Sequence, residues 1–128
     1  MFLNRLEVQH LPTSNQWKVQ KELTYKDTKR DFGLLTVPVD FITDFASIPR
    51  IFWMLLPRDG KYLEAAVLHD WLYFRQPDEM TRKEADLIFR DAMNSLDVAS
   101  WKSALIYYAV RLFGRAAFNE YKRLFDDV

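Results

Sequence analysis

At 128 residues, with 49% apolar and 16% aromatic side chains, the chain is large enough for one well-filled core and too apolar to be disordered throughout. Eighteen basic residues balance eighteen acidic ones, which excludes the global positive field of a dedicated nucleic-acid binder and leaves self-association open. Cysteine is absent, so disulfides, thiolate metal sites and cysteine nucleophiles are excluded too.

Met1-Phe2-Leu3-Asn4-Arg5 leads into mixed polar residues rather than an apolar signal core, and Ala104 to Val110 falls far short of the roughly 20 apolar residues that span a bilayer. The expectation is a soluble protein made in the cytoplasm. Phe2 to Leu11 alternates apolar and polar residues and predicts a strand, broken at Pro12-Thr13-Ser14-Asn15. A second strand is expected from Trp17 to Tyr25, with Trp17, Val19 and Lys21 on one face. After the polar turn Lys26 to Arg30, a third runs from Gly33 to Val39, near whose end Pro38 indicates an edge or terminus.

From residue 48 onward the periodicity is helical. Ser47 can cap a short helix over Ile51 to Leu56 that carries Pro49 in its first turn and stops at Pro57-Arg58-Asp59-Gly60. A second helix is expected from Tyr62 to Phe74, ending before Pro77. Thr81-Arg82-Lys83-Glu84 is a capping box that opens a third helix to about Leu96. The last helical stretch, Ala99 to about Phe125, bends near Gly114. The reading is one α+β domain over 1–128: a small N-terminal antiparallel β-meander (1–45) packed against a C-terminal bundle of about four helices (46–128).

Chemistry concentrates at His69-Asp70-Trp71-Leu72-Tyr73, read with Thr43-Asp44-Phe45-Ala46-Ser47-Ile48-Pro49-Arg50. An adjacent histidine and aspartate inside an apolar helix are costly to bury without partners. At about 100° per residue, His69 shares a stripe with Ala65, Ala66, Leu72 and Tyr73, whereas Asp70 lies on the adjoining one with Leu63 and Phe74. Asp86, on the apolar border of the next helix, is the expected partner that fixes the imidazole tautomer and raises its basicity. Asp44 and Asp70 are the candidates for holding a hard divalent cation, calcium or magnesium, and Ser47, Arg50 and Tyr73 are supporting residues. The bland alternatives stand beside this reading. The His-Asp pair can be a structural cluster, Ser47 an ordinary cap, and Asp86 a partner of Arg82 or Arg90 across one helical turn. A Ser47-His69-Asp86 triad lacks the Gly-x-Ser-x-Gly elbow, and a metal phosphohydrolase would need more helical histidines than His69. His10 reads as a surface residue.

Val37-Pro38, Phe41, Thr43 to Arg50, Ala65 to Tyr73, Ala85-Asp86 with Ile88-Phe89, and Ala109 to Gly114 resemble a phage and prophage family known as the domain of unknown function number thirteen fifty-three. That resemblance implies a viral or prophage origin and no set activity. Separately, His69-Asp70-x-x-Tyr73 resembles the active-site helix of phospholipase A2. The likeness implies His69 as general base, Asp70 as calcium ligand and Asp86 as the orienting carboxylate from a neighbouring helix. The glycine-rich calcium loop and the cysteines of the secreted enzymes are absent. The functional expectation is therefore a metal-assisted hydrolase-like domain acting on a lipid or other ester. The alternative is a non-catalytic virion or assembly protein whose partners are phage structural proteins or its own copies. Either is made in the host bacterium's cytoplasm and can end in the virion. A lipid surface is a further candidate partner, through the basic segment Lys102 to Arg123; no nucleic acid is expected.

Overall fold

The computed structural model describes residues 1–12, 16–30, 32–43, 54 and 62–119. Among the described residues five short strands precede the helices: β1 (Val8–His10), β2 (Trp17–Val19), β3 (Leu23–Asp27), β4 (Gly33–Val37) and β5 (Ile42–Thr43). All pairings are antiparallel, in two sheets of order β1-β2-β5 and β3-β4. Phe2 adds a single bridge to Tyr25, so the expected strand from Phe2 to Leu11 is reduced to that bridge and β1.

The strand expected from Trp17 to Tyr25 is instead two, one in each sheet. Val19 and Leu23 are both buried, and continuous alternation between them would turn Lys21 onto the core face as well. Breaking the ladder at Gln20, whose N–H donates to the Glu7 carbonyl, leaves the Lys21 ammonium outside, 3.9 Å from Glu7. β5 was not legible as a strand because two residues carry no period. At the start of β4, Gly33 takes φ +64°, a backbone that favours glycine.

Helices α1 (Leu63–Arg75), α2 (Arg82–Ser95) and α3 (Ser100–Phe113) follow, and residues 115–119 are again helical beyond Gly114. The helical half of the α+β reading thus stands. The expected short helix over Ile51 to Leu56 lies outside the described residues, Met54 excepted. At Thr81 the capping box is complete: the hydroxyl accepts from the Glu84 N–H at 3.1 Å, and the Glu84 carboxylate accepts from the Thr81 N–H at 3.0 Å. α1 ends at Arg75 because Gln76 turns left-handed (φ 47°) ahead of Pro77. The Gln76 side chain ties this corner to the carbonyls of Tyr73 and Phe118.

Burial runs unbroken from Ala65 to Asp70 and resumes at Leu72 and Tyr73, so α1 is enclosed on more than one side. It packs against β3, β4 and β5 on the strand side and against α2 on the other, while α3 packs on α2. Val19, Leu23, Leu35 and Val37 from the strands join Leu68, Leu72, Ile88, Phe89, Ile106 and Val110 in one core. Arg30, in the β3–β4 turn, reaches Asp91 of α2 at 2.9 Å and Asp27 at 3.5 Å, locking the hairpin to the helices. No helix among the described residues is long and apolar enough to cross a membrane.

Candidate functional site

Asp86 is the centre of the polar network. Completely buried on α2, it receives donors from the two neighbouring helices, α1 and α3. Its Oδ1 lies 2.7 Å from His69 Nε2 and accepts the Tyr73 hydroxyl at 2.5 Å, both from α1. Its Oδ2 accepts Arg111 Nη1 from α3 at 3.0 Å, with Arg82 Nη1 at 3.6 Å. Arg82 also donates to the carbonyls of Val110 and Arg111 in the last turn of α3, the first of which accepts the Gly114 N–H as well.

The geometry sets the protonation pattern. Burial pushes the Asp86 carboxyl up, but the bonds and charge of His69, then Tyr73 and Arg111, outweigh it and hold the group below its ordinary value. An ionised carboxylate can only accept, so the proton between Asp86 and His69 sits on Nε2. Tyr73 is driven strongly upward, first by burial and then by the Asp86 charge and hydrogen bond, so the phenol stays a donor. Packing fixes the ring as well. Phe89 stacks on the imidazole at 4.4 Å between centroids, and Tyr73 lies tilted against it at 4.2 Å.

Gly114 closes the network from α3. Its φ is ordinary; what requires glycine is space, since a Cβ there would stand 2.6 Å from both the Tyr73 hydroxyl and the Val110 carbonyl oxygen.

Asp70 turns away from this cluster. One residue on from His69 it faces the strands, where its Oδ2 accepts the Thr43 hydroxyl of β5 at 2.6 Å. The structure thus brings His69, Tyr73 and Asp86 together and places Asp70 in a second buried contact. The constellation read from the sequence therefore divides into two, because successive helical residues diverge by about 100°. Asp44, Ser47 and Arg50 lie outside the described residues. Among the described residues no three His, Cys, Asp or Glu side chains gather as a metal site, and Asp70 supplies a single carboxylate. The described residues alone therefore do not make a cation site.

Arg111 and Thr43 stand in runs that the sequence singles out, but the sequence assigns no role to either. Arg82 was visible as the i−4 neighbour of Asp86, but the Arg111 contact joins residues 25 apart and carries no local signal. Arg90, the other expected neighbour, lies instead over the Tyr107 ring at 5.4 Å. His10 packs on Trp17 at 4.7 Å in the β1–β2 ladder and is exposed.

Residues 17–110 match the family described as "Protein of unknown function (DUF1353)". Two proteins of Sinorhizobium fredii (strain NBRC 101917 / NGR234) are similar. "Uncharacterized protein y4jT" is 36% identical over 80 residues, covering 61% of this chain and 23% of that protein. "Uncharacterized protein y4iH" is 32% identical over 102 residues, covering 73% and 42% respectively. The chain thus spans less than half the length of either relative, and no solved structure matches it. The family match takes in β2 through most of α3, and with it Thr43, His69, Asp70, Tyr73, Arg82 and Asp86: the chain belongs to the DUF1353 family.

Proposed function

We propose that this chain is a phage- or prophage-encoded hydrolase-like domain in which His69 is the general base and Asp86 positions it, acting on a lipid or other ester. The observation that carries the reading is the 2.7 Å contact between His69 Nε2 and Asp86 Oδ1 across neighbouring helices. With Nε2 holding its proton against a carboxylate, proton transfer at this imidazole goes through Nδ1. Nδ1 would take a proton from water as the water oxygen bonds to the ester carbonyl carbon. The same proton would return to the leaving alkoxide as the C–O bond breaks. Asp86 would balance the imidazolium in between, while Tyr73 and Arg111 keep the carboxylate in place. The likeness of His69-Asp70-x-x-Tyr73 to the phospholipase A2 helix supports an ester of a lipid.

A cation held by Asp70 together with Asp44 belongs to the same proposal, calcium or magnesium being the chemistry that suits carboxylates. The test is turnover of an ester panel that includes phospholipids, with calcium, with magnesium and with chelator. Turnover of at least one ester by the wild type, lost in folded His69→Ala, is expected. Equal rates in the two proteins would sink the assignment, and insensitivity to chelation would remove its cation.

One observation favours a second reading, a virion or assembly protein with a structural hub. His69 and Asp86 are wholly buried, and both Asp86 oxygens are occupied by protein donors. On that reading the wild type turns over no ester, His69→Ala only lowers stability, and the protein copurifies with native particles. Production in the cytoplasm of the bacterial host fits both.

A further inference from the structure

Among the described residues α3 is packed along one side. Ser103, Ile106, Tyr107, Ala109 and Val110 are buried, whereas Trp101, Leu105, Tyr108 and Leu112 are 62, 42, 58 and 74% exposed. Their spacing of four, three and four residues sets them in one stripe along the helix. Single exposed apolar residues are ordinary, but a continuous stripe of a tryptophan, a tyrosine and two leucines marks a surface that meets something apolar.

Charge indicates what that is. Between Val98 and Asn119 the chain carries Lys102, Arg111 and Arg115 and no carboxylate, although its total charge is zero. Lys102 Nζ lies 5.5 Å from the centre of the Trp101 ring, and Arg115 is exposed one turn beyond Leu112. Arg111, at the edge of the stripe, is committed to Asp86. Among the described residues, the exposed carboxylate nearest to this stretch is Asp97, which precedes the first turn of α3. Tryptophan and tyrosine beside leucine, flanked by basic residues, are the composition of a helix that lies in the headgroup region of a negatively charged bilayer.

We propose that the outward face of α3 is a docking surface for an anionic lipid interface. The helix would lie in the plane of the headgroups, with Trp101, Leu105, Tyr108 and Leu112 inserted and Lys102 and Arg115 on the phosphates. Binding of this kind needs no turnover, so it stands or falls separately from the hydrolase reading.

The test is co-sedimentation of the full chain with phosphatidylcholine vesicles, with and without phosphatidylglycerol, at two salt concentrations. Expected are binding that requires phosphatidylglycerol, weakens with salt, and drops at least about tenfold, or about 1.4 kcal/mol, in Trp101→Ser/Leu112→Ser. Arg115→Glu, a change at an exposed position, should weaken binding too, and it carries the test should circular dichroism show the double variant unfolded. Absence of binding, equal binding to both vesicles, or undiminished binding by the folded variants would overturn the proposal. So would a dimer, seen by light scattering, that dissociates in the double variant while the wild type ignores vesicles.

Discussion

Replacing Asp86 by asparagine changes one oxygen to an amide nitrogen and leaves volume almost untouched, so its effect isolates the charge and acceptor capacity of the hub. The carboxylate accepts from His69 and Tyr73 on Oδ1 and from Arg111 on Oδ2. An amide has a single acceptor oxygen. If it serves His69 and Tyr73, the NH2 group faces the guanidinium; if it serves Arg111, the NH2 faces two donors. Hydrogen bonds to a charged group are worth about 1.5–3 kcal/mol each, and breaking a buried charge pair costs about 3–5 kcal/mol. Arg111 retains partial exposure, which softens its share. A loss of about 3–4 kcal/mol is expected, a large part of the roughly 5–15 kcal/mol that holds a domain folded. Urea unfolding followed by circular dichroism measures it, with unchanged m values showing that compactness is preserved. The folded-state carboxyl is held below its ordinary value. Its contribution is therefore complete above the unfolded value near pH 4 and disappears as pH falls through the folded one, so the gap between wild type and Asp86→Asn should narrow in acid. A loss below about 1 kcal/mol near pH 7, or a gap that widens in acid, would refute the hub as described.

Two further perturbations probe the same packing. Gly114→Ala places a Cβ 2.6 Å from the Tyr73 hydroxyl and should cost about 1–3 kcal/mol by overpacking. Adding Tyr73→Phe, which withdraws that oxygen, should make the double variant more stable than the summed single effects by at least about 0.5 kcal/mol in a double-mutant cycle; strict additivity would contradict the contact. On the strand side, burial first, then the charges of Asp91 and Asp27, raise Tyr25 to about 12 against the counter-effect of Arg30. The neutral phenol's contribution is complete below its unfolded value near pH 10 and is lost as pH rises from there toward 12, to a total of about 2–3 kcal/mol. Tyr25→Phe should flatten that alkaline decline in urea titrations, and an unchanged decline would show the phenol is not its source.

Local chemistry was legible and long-range chemistry was not. The Thr81–Glu84 box could be read because both halves of it lie within one turn. Asp86 could be matched to His69 because a short connection folds α2 back on α1 and both residues sit on facing stripes. Arg111 and Thr43 enter the two polar clusters only through tertiary packing, which no spacing announces. The strand error at Lys21 has the opposite origin: alternation was followed through a residue whose charge made continuation costly. Treating His69 and Asp70 as one centre ignored what their separate stripes already implied, that a helix aims adjacent residues at different neighbours. Asp44, Ser47 and Arg50 lie outside the described residues.

Everything proposed for His69 depends on which ring nitrogen holds the proton. Long-range nitrogen–proton correlation by NMR on nitrogen-15-labelled protein near neutral pH reads this directly. The account predicts a protonated Nε2 and an unprotonated Nδ1, a pattern lost or reversed in Asp86→Asn. A neutral ring protonated on Nδ1 in the wild type, with Nε2 as the acceptor, would contradict it, since Asp86 would then not be the ionised partner that positions the imidazole.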